Sequence, residues 1–208
     1  GLGGGPLVKR AVALGSVVAG TLAVAALVFS PLLLHSLLDG SVMLLGFNGP
    51  LATGPLIQKV PYDFRKDLAP VIITSSQPNV LAVNASLPVK SVPELVAWAK
   101  ANPGKLNYAS VGNGSSSHLN AEMLKAAAGI EAVHVPFNGS PPAVLSTVQG
   151  ETQMIFAVMQ PLQAQIQAGK LRAIGVTTAQ RFRLMPDLPA IAETYPGADL
   201  QQLRVLRR

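Results

Sequence analysis

The sequence predicts an α/β fold built on mostly parallel sheets, and three observations carry that prediction. From Gly40 onward, short apolar or β-branched runs alternate with helix-like pieces, the pattern of βαβ units. The helix-like pieces have recognisable starts and stops. The segment Asn107–Leu119 passes from an extended run through Gly112-Asn113-Gly114 and three serines into a helix, which is a strand-to-helix join written out in residues. A chain of 208 residues holds one large domain or two small ones.

Taken in order, Ser41–Gly46 reads as a short apolar strand followed by the turn Phe47-Asn48-Gly49-Pro50. Pro70–Thr74 and Val80–Asn84 read as strands. Ser91 and Glu94 form a capping box for a helix with Leu95, Val96 and Ala99 on its apolar side, ended by Asn102-Pro103-Gly104. Leu106–Ser110 is a strand. The next helix is expected from about His118, with Leu119, Met123 and Ala127 on one face, Leu124 beside them and Gly129 as its C-terminal cap. Ala132–Phe137 is a strand, Pro141–Val148 a helix ended by Gly150, Gln153–Val158 a strand, Pro161–Ala168 a helix and Leu171–Thr177 a strand. In such sheets ligands bind beyond the carboxyl ends of the strands. That rule places Gly112–Ser117, Phe137–Ser140 and Ala157–Gln160 on one rim.

The charge of the chain does not point to nucleic acid. Five of the 16 basic residues (Lys9, Arg10, Arg204, Arg207, Arg208) lie in residues 1–38 and 200–208, where no acidic residue stands; 11 remain against all 10 acidic ones. A phosphate-tracking surface needs clustered Lys and Arg. There is no cysteine, so disulfides, thiolate metal sites and cysteine nucleophiles are excluded. Residues 11–38 carry no charged side chain and follow Lys9-Arg10, which has the look of an anchor or secretion signal over residues 11–34. Pro31 interrupts that run, and a truncated or frame-shifted gene is the reading preferred for it.

Gly112–His118 is the segment with chemistry in it. Gly112 and Gly114 suit positive φ and can turn successive N–H groups inward. The helix behind them offers unpaired amides and a positive dipole end, and Ser115, Ser116 and Ser117 offer hydroxyls. Together these suit a carboxylate. His118, in the first turn, is expected neutral, because a cation there opposes the dipole. His134 reads as structural, and neither histidine has metal-ligand spacing. Ser117 and His118 are adjacent and cannot face each other on a helix, paired acids are missing, and Gly112-x-Gly114 has Ser117 where a dinucleotide loop has its third glycine. The rim therefore suits binding better than catalysis, with no cofactor and no metal. Phe137-Asn138-Gly139-Ser140 can offer a second set of amides, and Phe47-Asn48-Gly49 a weaker one.

Asp63–Leu68, Pro78–Asn84, Asn102–Ser110, Gly112–Leu119, His134–Ser140, Ala168–Thr177 and Met185–Ala190 together resemble the substrate-binding receptors of tripartite tricarboxylate transporters, the Bug family. The resemblance spans about residues 39–198. It implies a periplasmic binding protein type II-like fold, with two α/β lobes of mostly parallel sheets and the first lobe incomplete. The implied domains are an apolar non-family segment 1–38, a partial first lobe 39–74, a second lobe 75–178, and a truncated return toward the first lobe 179–208. The implied function is extracytoplasmic capture of a small organic acid by a monomer, which passes it to membrane permease subunits. Asn48 and Gly49 would contact ligand from the first lobe; Gly114, Ser115, Ser116, Ser117, His118, Phe137, Asn138, Gly139 and Ala157 from the second. Phe137 stands where the family often has tyrosine, and Ala157 where it often has an acid; both favour a simple carboxylate over an amino acid. The rival readings are an α/β enzyme acting on a small acyl or phosphoryl compound and a membrane-anchored ligand-sensing module.

Overall fold

The computed structural model describes residues 46, 49–68 and 77–198. Residues 1–38, Asn48, the run 70–74 and, apart from Gly46, the strand expected at 41–46 lie outside the described residues. The chain divides into two compact units, Gly1–Ser76 and Gln77–Arg208.

In the first unit, Gly49–Thr53 forms a wide helical turn that runs into the short helix α1 (Gly54–Ile57). The Thr53 hydroxyl donates to the Gly49 carbonyl at 3.0 Å. A second short helix, α2 (Phe64–Asp67), is capped by the Asp63 carboxylate, which accepts the Arg65 N–H at 3.0 Å.

The second unit is a five-stranded sheet with helices on both faces. Its elements are β1 (Asn79–Asn84), α3 (Val92–Ala101), β2 (Asn107–Ser110), α4 (Ser116–Ala128), β3 (Val133–Pro136), α5 (Ser140–Gln149), β4 (Met154–Val158), α6 (Met159–Gln167) and β5 (Leu171–Val176). The strand order is β3-β2-β4-β1-β5. β2 pairs in parallel with β3 and β4, while β1 runs antiparallel to both β4 and β5. Four strands therefore share one direction, and the sheet is mostly parallel.

The helix signals act as physical chemistry requires. Ser91 Oγ accepts the Glu94 N–H, and Glu94 accepts the Lys90 N–H at 2.8 Å. Gly129 and Gly150 end α4 and α5 in the left-handed conformation, with φ of 61° and 84°. All six residues of β1 are buried, because both faces of the sheet are covered. One face holds Leu81, Tyr108, Met154 and Phe156 under α3 and α4. The other holds Val80, Ala109, Ile155 and Val176 under α5 and α6.

α4 differs from its expected form in two respects. It begins at Ser116, not His118, and the face turned to the sheet is Ser117, Asn120, Ala121, Leu124 and Ala128. Leu119 and Met123 are only half-buried and Ala127 is exposed. Small side chains let a helix approach a sheet closely, so the alanine stripe wins over the longer residues.

The entry and exit of the unit are tied together. Asn79 N–H donates to Thr177 Oγ1 at 3.0 Å, and Thr177 N–H donates to the Asn79 carbonyl at 3.0 Å. Residues 179–198 stay on this unit. Val176 bridges to Ala190, and Ile191 and Ala198 are buried in the first core cluster. Gly175 makes that packing possible: a β-carbon there would stand 2.9 Å from Ile191 Cγ1 and 3.1 Å from Val92 Cγ2. Gly175→Ala is expected to destabilise the fold by about 1–3 kcal/mol, read as a lower urea midpoint with an unchanged slope.

Candidate functional site

β2, β3 and β4 lie side by side in parallel, so the helices that follow them all start at one edge of the sheet. The positive ends of α4, α5 and α6 meet the same rim. The loops are joined as well as adjacent: Phe137 N–H, leaving β3, donates to the Ser110 carbonyl at the end of β2, at 2.9 Å.

The β2–α4 loop satisfies most of its own polar groups. Ser115 is the N-cap of α4: its Oγ accepts the His118 N–H at 3.3 Å and donates to the Gly112 carbonyl at 2.7 Å. Ser117 Oγ accepts the Val111 N–H at 3.0 Å and lies 2.9 Å from Ser115 Oγ. Since Ser115 gives its proton to Gly112, Ser117 gives its own to Ser115. Both hydroxyls are thus used inside the loop, and of the three serines only Ser116 keeps a hydroxyl for a ligand. Gly112 and Gly114 adopt φ of 123° and 70°, and Gly114 N–H donates to His118 Nδ1 at 3.1 Å. The amides of Asn113, Ser116 and Ser117 have no acceptor among the described residues.

The register of β2 and β3, with Tyr108 opposite His134, builds a feature that residue spacing alone does not reveal. The rings of His118 and His134 stack at 4.0 Å with 11° between planes, and Tyr108 stacks on His134 at 4.9 Å and 14°. Tyr108 hydroxyl donates to Glu122 Oε1 at 2.5 Å, and Lys125 Nζ pairs with the same oxygen at 2.8 Å. Burial pushes both imidazoles below their ordinary value; Lys125 acts in the same direction on both, His118 acts so on His134, and Glu122 opposes. Burial and Glu122 push the Tyr108 phenol up, so it stays protonated. Burial alone would raise Glu122, but its bonds from Lys125 and Tyr108 outweigh that and hold it below the ordinary carboxylate range.

His134 Nε2 lies 2.6 Å from Ser110 Oγ, a serine–histidine contact formed across two strands. Ser110 Oγ also lies 3.2 Å from the Gly112 carbonyl. The arrangement that uses every donor has His134 donating from Nε2 and Ser110 donating to Gly112. Ser110 is then not activated by a base, and it is fully buried at 0% exposure. Nucleophilic catalysis needs an accessible oxygen next to a proton acceptor, and this pair has neither. Among the described residues no group of three His, Asp or Glu side chains is placed to hold a metal.

Of the other expected site residues, Asn138 is exposed and Phe137 and Gly139 are half-buried at the second loop. The set of amides expected there is small, because Pro141 and Pro142 occupy the first turn of α5 and carry no N–H; Asn138 and Ser140 supply what remains. Ala157 is 5% exposed, and its methyl lies in the apolar cluster against which Phe137 packs. Gly49 lies in the first unit.

Asn120, one turn into α4, is 1% exposed, and its Oδ1 has no hydrogen-bond partner. A buried amide oxygen without a partner carries a desolvation cost of about 1–3 kcal/mol. Asn120→Leu, of similar volume, is therefore expected to stabilise the ligand-free chain by about 1 kcal/mol. Equilibrium denaturation checks this, and a destabilised variant would contradict the account of that side chain.

Residues 16–202 match the family described as the tripartite tricarboxylate transporter family receptor, a span reaching beyond residues 39–198 at both ends. The chain is 36% identical over 164 residues to the UPF0065 protein in the tcbD-tcbE intergenic region of Pseudomonas sp. strain P51, covering 78% of this chain and 49% of that protein. It is 34% identical over 161 residues to protein BugT of Bordetella pertussis, covering 76% and 49%. The chain thus spans about half the length of the curated relatives it matches. Among solved structures, R. palustris Rpa4515 with adipate superposes with a TM-score of 0.75 at 33% identity, over 87% of this chain and 59% of that one. MatC (Rpa3494) from Rhodopseudomonas palustris with bound malate gives 0.63 at 26%, over 70% and 50%. The chain belongs to the family of tripartite tricarboxylate transporter receptors, to which the Bug proteins also belong.

Proposed function

We propose that this chain is an extracytoplasmic receptor that holds a small carboxylate at the start of α4 and passes it to the membrane subunits of a tripartite transporter. One observation carries the reading. The Asn113, Ser116 and Ser117 amides have no acceptor among the described residues, at a rim where three helices begin and in a loop whose Ser115 and Ser117 hydroxyls are already used. Unpaired N–H groups at a helix start favour an anion over a neutral ligand. The Ser116 hydroxyl and the Asn138 and Ser140 amides stand on the same rim and complete the donor set.

Binding is favoured over turnover. His118 Nδ1 is occupied by the Gly114 amide and Ser110 is sealed, so no serine at the rim has a base. Dicarboxylates are the class to try first, since the two solved relatives with ligands named above hold adipate and malate. Ala157 in an apolar cluster leaves no acid at that position to neutralise a ligand ammonium, which favours simple acids over amino acids. A periplasmic location and a monomeric state accompany this reading. No helix among the described residues is long and apolar enough to cross a membrane.

Thermal unfolding with adipate and malate tests the proposal. A binding acid at about a hundredfold excess over Kd adds about 2.7 kcal/mol, a rise in Tm of about 5–10 °C for a chain of this size. Gly114→Val forces a β-branched residue to φ of 70° and is expected to cut that rise below about 1 °C while costing about 1–3 kcal/mol of stability. An undiminished rise in Gly114→Val would remove the loop from the binding account.

A further inference from the structure

The ring stack does more than fill space beside the loop. Gly114 N–H needs a lone pair on His118 Nδ1, 3.1 Å away, so the loop as built requires a neutral ring with its proton on Nε2. Only Nδ1 can take a second proton. Protonation would set two N–H groups against each other and release Gly114, the residue directly before the Ser115 cap. His134 lies flat on one face of the ring at 4.0 Å and blocks its swing to that side. His134 is itself anchored by Ser110, 2.6 Å from its Nε2, and Tyr108 packs on both imidazoles, at 4.9 Å from His134 and 6.3 Å from His118.

The charges around the stack are also fixed. Tyr108 comes from β2, His134 from β3, and Glu122 and Lys125 from the next turn of α4. Glu122 is bound to both Tyr108 and Lys125, at 2.5 Å and 2.8 Å, and Lys125 Nζ stands 5.8 Å from the centre of the Tyr108 ring. No carboxylate in this set is left to pair with an imidazolium. Two stacked imidazolium rings at 4.0 Å would repel, so the pair takes at most one proton readily.

The geometry points to Tyr108, His134 and His118 acting together as positioning residues that set the Gly112–Ser117 loop, and to a loss of carboxylate affinity when His118 takes a proton. The affinity part rests on the carboxylate reading above; the positioning part does not. Acidification below about pH 6.5, the ordinary histidine value, moves the site from the set loop to the released one. Because the ring is harder to protonate when folded than when unfolded, the set loop is fully present at neutral pH and is lost as pH falls.

Two measurements on the 208-residue chain test this. In the first, the Gly114 amide resonance and the His118 ring resonances are followed by NMR from about pH 8 to about pH 5. They are expected to move together with one midpoint. In the second, adipate affinity is measured over the same range for the unmodified chain and for His118→Asn. Asparagine offers an oxygen acceptor near the position of Nδ1 and does not titrate. The unmodified chain is expected to lose about tenfold in affinity beyond any loss in His118→Asn, the worth of about one hydrogen bond. Identical pH profiles in the two chains would overturn the proposal. So would a Gly114 resonance that stays still while His118 titrates, a result that needs no folded variant. Co-titration of Gly114 and His118 in a chain that binds neither adipate nor malate at any pH upholds the positioning device and overturns the carboxylate reading instead.

Discussion

Ser115 Oγ takes the His118 N–H and gives its own proton to the Gly112 carbonyl, so one oxygen ties the first turn of α4 to the turn that leaves β2. The other loop bonds follow from it. With Ser115 committed, Ser117 can donate only to Ser115, which leaves its lone pairs to receive Val111 N–H. The backbone from Val111 to His118 is then held at each end, and the amides left over among the described residues are those of Asn113, Ser116 and Ser117. A cap bond of this kind is worth about 1 kcal/mol. Its larger consequence here is geometric, because it selects which donors remain for a ligand.

Much of this architecture is written in local residue chemistry. Ser91 with Glu94, Gly129 and Gly150 mark helix ends through hydrogen bonds and φ angles that few other residues provide, and the structure places those ends at the same residues. The alternation of β-branched runs with capped helices is enough to give a mostly parallel sheet, and the parallel rule then collects the loops after β2, β3 and β4 on one rim. The antiparallel course of β1 is less visible. It depends on where the chain enters the unit, beside Thr177 at the strand-end rim, and a strand's own residues do not record its direction.

The site was legible only as far as its loop. The glycines, the serines and the helix start are contiguous, so their joint role can be read from the sequence. How the hydroxyls are shared cannot, since it depends on φ of 123° and 70° at two glycines and on which oxygen lies nearest. The stack of Tyr108, His134 and His118 draws on three elements, and it follows from the pairing of Tyr108 with His134 across β2 and β3. A one-residue change of register would turn His134 to the other face of the sheet, and a structural role was the natural reading of a lone strand histidine. On α4, hydrophobicity marks Leu119, Met123 and Leu124, while the closeness of the sheet selects Ala121, Leu124 and Ala128.

On the reading proposed above amides hold the ligand, and three cations of the second unit are committed elsewhere. Lys125 is paired with Glu122. Arg172 donates to the Val89 carbonyl at 2.6 Å from the second residue of β5, the end of the sheet opposite the rim, and Arg181 is paired with Glu193. A free lysine or arginine at the rim would attract any anion, including phosphate, through charge alone. A set of fixed N–H groups and one hydroxyl instead rewards a flat carboxylate whose oxygens meet their directions. The same choice explains the neutral histidines. An imidazolium beside the start of α4 would oppose the helix dipole and place a cation beside those amides, and burial disfavours that charge on the ring.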